Sequence, residues 1–119
     1  MAKSIVNVET VKALKMYRSG WANEIREGWG MGASGAKEIL YQLYEISGTI
    51  VLAMENRLGG SCVDKMALQM THDKLEKFVK SDLFDEFSSL GEMGVGGFLR
   101  SGTAHHIRVM FEALEKLMA

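Results

Sequence analysis

Ala36-Lys37-Glu38-Ile39-Leu40-Tyr41-Gln42-Leu43-Tyr44-Glu45-Ile46-Ser47-Gly48-Thr49-Ile50-Val51-Leu52-Ala53-Met54-Glu55-Asn56-Arg57 is the longest uninterrupted periodic stretch of the chain, and Gly59-Gly60 stops it. Its apolar residues recur at helical spacing in two adjacent stripes. Leu40, Tyr44, Val51, Met54 and Leu58 mark one, and Ile39, Leu43, Ile46, Ile50 and Ala53 the other. The polar residues Glu38, Gln42, Glu45, Thr49 and Asn56 keep the remaining arc. More than half the circumference is therefore apolar, whereas a helix laid on a core needs a single stripe. The reading that follows is a central helix that also faces a second chain.

Working outward, the absence of proline leaves long helices unopposed, and the 13 glycines fall mainly in clusters that punctuate the chain. Upstream, Asn7 is a good N-cap, Glu9 sits in the positive first turn, and Val11, Leu14, Trp21 and Ile25 repeat at near-helical spacing, which predicts a helix over 8–27. Gly20 could split it. Downstream, Ser61 with Asp64 has capping-box character ahead of Val63, Met66, Ala67 and Met70. Thr71 is expected to cap a further helix lined by Leu75, Phe78 and Val79, continuing past a kink near Ser81-Asp82 through Leu83, Phe84, Phe87 and Leu90. After Gly102, Thr103 is expected to cap a last helix with the stripe Ile107, Met110, Phe111, Leu114, Leu117 and Met118. No alternating strand pattern stands out. The fold class predicted is all-α: a single small irregular or orthogonal bundle of four to five helices with glycine-rich connections.

Composition bounds the function. At 119 residues the chain closes one core, and 47% hydrophobic with 24% charged residues is the balance of a folded domain. A net charge of −1 creates no global field for nucleic acid or anionic lipid. The lone Cys62 forms no intrachain disulfide and suits a reducing, cytoplasmic setting. The longest uncharged apolar-rich stretch, Ile46 to Met54, falls far short of bilayer thickness, so no membrane span is expected.

Several motifs invite chemistry and then lose it. Gly30-Met31-Gly32-Ala33-Ser34-Gly35 spells the dinucleotide fingerprint, but the residues before it, including Asn23, Glu24, Arg26 and Glu27, read as charged helix and not as a buried strand. What survives is a possible anion-binding helix start at Gly32, Gly35 and Lys37. The second cluster, Gly91 to Gly102, lacks the Gly-Lys-Ser/Thr ending of a P-loop. His105 and His106, neighbours on a helix, point about 100° apart, and no paired-histidine or Cys-x-x-Cys spacing supports a metal. Neither Cys62 nor any serine sits beside a sequence-local base, so no catalytic residue, metal or cofactor is assigned and a non-catalytic role is favoured.

Two interaction surfaces are expected instead. The first is an apolar interface at Trp21, Ile25, Trp29, Tyr44 and Val51, serving a homo-oligomeric binding or adaptor protein, with a dimer as the simplest closed state. Nine methionines, two tryptophans and five phenylalanines make more apolar surface than so small a chain needs. The second is a nucleic-acid contact through Lys12, Lys15 and Arg18, supported by a loose helix-turn-helix resemblance over 63–80 with its turn near Thr71. A small-molecule pocket between helices near the glycine loops is a third possibility.

Overall fold

The computed structural model describes residues 4–27, 36–81 and 96–119. These form four helices: α1 (Val8–Glu27), α2 (Ala36–Leu58), α3 (Lys65–Val79) and α4 (Gly96–Met118), with no strand among the described residues. The all-α reading holds. α2 packs against each of the other three, and α3 also packs on α4.

The helix ends follow from local chemistry. The Asn7 carboxamide oxygen accepts from the Thr10 amide at 2.8 Å and satisfies an orphan donor at the start of α1. α2 closes in a left-handed glycine cap: Gly60 has φ +83°, its N–H donates to the Arg57 carbonyl, and the Ser61 N–H reaches back to the Asn56 carbonyl at 2.8 Å. α3 starts at Asp64, whose carboxylate accepts from the Met66 and Ala67 amides. Asp64 is the cap residue; the expected box led by Ser61 is not what forms.

Three expected interruptions are absent. α1 passes through Gly20 without a break. α3 passes through Thr71, whose hydroxyl donates to the Ala67 carbonyl at 2.8 Å; a threonine satisfied by its own preceding turn has no cause to start a new helix. The turn of a helix-turn-helix is therefore missing, and Lys74 and Lys77 continue the same helix as Met66. α4 begins at Gly96 and contains Gly97 and Gly102, well before Thr103. Glycine costs about 1 kcal/mol in a helix interior and does not forbid it, so the stripe downstream can carry the helix back through them. The run Leu83 to Leu90 lies outside the described residues.

The core joins Leu14 and Trp21 of α1 to Ile39, Leu40, Leu43, Ile46, Ile50 and Met54 of α2, to Leu68 and Leu75 of α3, and to Met110, Leu114 and Leu117 of α4. Each such side chain contributes roughly 1.5–3 kcal/mol when fully buried. This arrangement corrects the expectation drawn from α2. Of its two apolar stripes, all but Tyr44 and Leu58 are buried within the chain itself. Three neighbours covering one helix is enough; the wide apolar arc needs no second chain to hide it.

Candidate functional site: the α1–α2–α3 surface

What stays exposed is a different set of residues. Leu52 on α2 is 60% exposed, and Met66 and Met70, one turn apart on α3, are 75% and 67% exposed. Leu52 lines a groove of about 720 Å³ together with Lys15, Arg18, Tyr44, Thr49 and Lys74. Met70 lines a second hollow of about 550 Å³ with Ala67 and Lys77. The two share Thr49, Thr71 and Lys74, so they form one continuous trough along the α2–α3 seam, bounded at one end by Lys15 and Arg18 of α1.

Charge lies on the rim of this trough. Lys15 of α1 pairs with Glu55 of α2 at 2.8 Å, and Lys74 of α3 pairs with Glu45 of α2 at 3.7 Å. Both pairs are about half exposed and so each is worth at most about 1 kcal/mol; they orient the rim more than they hold the fold. Arg18 is built in more firmly. Its Nε donates both to the Tyr44 carbonyl at 3.3 Å and to the Ser47 hydroxyl at 3.2 Å, and its guanidinium carbon lies 4.2 Å from the centre of the Tyr44 ring. Gly48 leaves the room for this: a Cβ there would stand 2.6 Å from Nη2 of Arg18.

The described members of the expected interface are mostly covered. Trp21 and Val51 are interior, Ile25 is partly buried against the core, and Tyr44 is half-covered under Arg18. Trp29 lies outside the described residues. These positions do not form an exposed interface, because hydrophobicity at helical spacing marked the core face and not the open one. Trp21 does retain one oddity, a buried indole N–H with no acceptor among the described residues. The basic trio also divides: Lys12 is exposed, while Lys15 and Arg18 are turned onto α2. Of the anion-binding trio, Gly32, Gly35 and the Lys37 side chain all lie outside the described residues.

One grouping was missed. On α3, single ligand atoms from His72, Asp73 and Glu76 lie within 4.8 Å of one another. The signal available was the His72-x-x-x-Glu76 spacing, which sets the two on one helix face. The His72 ring rests edge-on against Phe111 of α4. Asp73 already accepts from Gln69, and Glu76 has Lys80 at 3.8 Å, so local partners occupy both carboxylates. Elsewhere, His106 is buried and stacked on Tyr17 with ring centroids 3.4 Å apart, while His105 is exposed. No helix among the described residues is long and apolar enough to cross a membrane. Comparison with protein-family models, curated proteins and solved structures finds no match to this chain.

Proposed function

We propose that this protein is a non-catalytic, homo-oligomeric binding protein that pairs with a second copy of itself through the α2–α3 trough. The observation that carries the reading is the exposure of Leu52 and Met70 along one seam, with Met66 one turn from Met70 on the same helix, whereas the described apolar side chains of α2 other than Leu52, Tyr41, Tyr44 and Leu58 are buried. Methionine is flexible and polarisable and suits a surface that must fit a second copy of itself.

The rim favours a second copy over an unrelated chain. α2 contributes Glu45 and Glu55 to it, and α3 contributes Lys74 and Lys77 beside Asp73. A two-fold axis along the trough sets α2 of one copy over α3 of the other, so each intramolecular Glu45–Lys74 pair meets its reversed copy and the apolar residues meet in the middle. Three exposed apolar side chains are fewer than a standard interface of about 800 Å² per partner contains, which points to a weak, concentration-dependent pair and not an obligate dimer.

Sedimentation equilibrium across a concentration series tests this. The expected result is a monomer–dimer equilibrium that the double substitution Leu52→Glu and Met70→Glu shifts to monomer. A wild-type chain that stays monomeric at the highest attainable concentration removes the proposal.

A further inference from the structure

We infer that Arg18 is an oxyanion-binding residue, and that the α1–α2 end of the trough takes a carboxylate or phosphate group on its guanidinium. The groove there is lined by five charged side chains: Lys15, Arg18, Glu45, Glu55 and Lys74. Four of them cancel in the pairs Lys15–Glu55 and Lys74–Glu45. Arg18 is the fifth, and it has no carboxylate partner among the described residues. A surplus positive charge is thus fixed at one place in an open groove of about 720 Å³.

The guanidinium is also held in position before any ligand arrives. Nε is used twice, on the Tyr44 carbonyl and on the Ser47 hydroxyl. Ser47 is itself fully buried and donates to the same Tyr44 carbonyl at 3.0 Å, so the acceptor that orients Arg18 is fixed in turn. The Tyr44 ring supports one face of the plane, and the missing side chain at Gly48 lets it lie flat on α2. Neither Nη group meets an acceptor among the described residues, which leaves four N–H donors in the fork geometry that matches a carboxylate or a phosphate. The interior-facing hydroxyl nearby, Thr71, already donates to a backbone carbonyl, so Arg18 carries the recognition alone and the affinity is weak. A brace between two helices needs only the Nε contacts and the ring; it has no use for a cavity beside the unused donors.

Titration of the full chain, followed through the Tyr44, Gly48 and Thr49 amide resonances, tests the assignment with three probes at matched ionic strength: inorganic phosphate, acetate and sodium chloride. Phosphate or acetate is expected to move these resonances saturably and chloride is not. A tighter response to phosphate assigns a phosphoryl ligand, and a tighter response to acetate a carboxylate one. Arg18→Lys keeps the charge without the fork and is expected to weaken binding about tenfold; Gly48→Ala, which crowds Nη2, should weaken it while leaving Lys15 and Lys74 in place. Resonances that follow phosphate and acetate no differently from chloride overturn the inference. So does an Arg18→Gln protein that still saturates.

Discussion

The inward arc of α2 and the outward face shared by α2 and α3 are both rich in large apolar residues, yet they have opposite fates. Ile39, Leu43, Ile46 and Ile50 are buried by α1, α3 and α4, whereas Leu52, Met66 and Met70 stand in solvent. Apolar content does not separate the two sets. Helical phase does: Leu43 and Leu52 are nine residues apart, which on a 3.6-residue period places them on opposite sides of the same rod. A sequence shows how much apolar surface a helix carries, but coverage depends on how many neighbours the fold supplies.

Identical substitutions on the two sides break or sharpen that contrast. Leu43→Ala empties a site at the centre of the core and is expected to cost about 2–5 kcal/mol in chemical denaturation. A loss below about 1 kcal/mol would mean that the inward arc is not packed as described. Asp64→Ala removes the carboxylate that caps α3 and is expected to cost about 1 kcal/mol, lowering helix content chiefly at the α3 N-terminus, as read by amide hydrogen exchange. Protection unchanged in residues 65–68 would show that Ser61 takes over. Leu52→Ala, the same change as the first on the exposed side, is expected to alter monomer stability by no more than about 0.5 kcal/mol while weakening self-association. A stability loss as large as that of Leu43→Ala would place Leu52 in the core. Of similar size is Lys15→Ala, which opens a half-exposed ion pair and is expected to cost about 0.5 kcal/mol, less still at high salt.

The fold was largely legible because its signals are local. Asn7 as a cap, the glycine pair after Leu58 and the apolar period of α2 each act within one or two helical turns, and the ends of α1 and α2 fall where these residues place them. The failures came where a residue type carries a preference that context overrides. Thr71 is a good cap in isolation but is satisfied by the Ala67 carbonyl inside α3, and Gly97 and Gly102 are tolerated within α4. The candidate site was far less legible. The expected interface residues Trp21 and Val51 were chosen for hydrophobicity, the property that buried them. Leu52, Met66 and Met70 could be picked out only once the positions of α1, α3 and α4 around α2 were known. The Arg18 cluster depends on a contact between residues 26 to 29 positions apart in the chain, which no local pattern encodes.

Methionine methyl resonances give the most direct test of the central claim, because one spectrum reports the exposed face, the core and an unrelated surface together. Met70 lines the trough and Met66 lies one turn from it on α3, Met54 and Met110 are buried, and Met16 is exposed on α1. Pairing through the α2–α3 seam predicts that dilution shifts the Met66 and Met70 methyls along a two-state curve and leaves Met16, Met54 and Met110 unmoved. Dilution that moves Met16 instead, or moves none of the five, contradicts it.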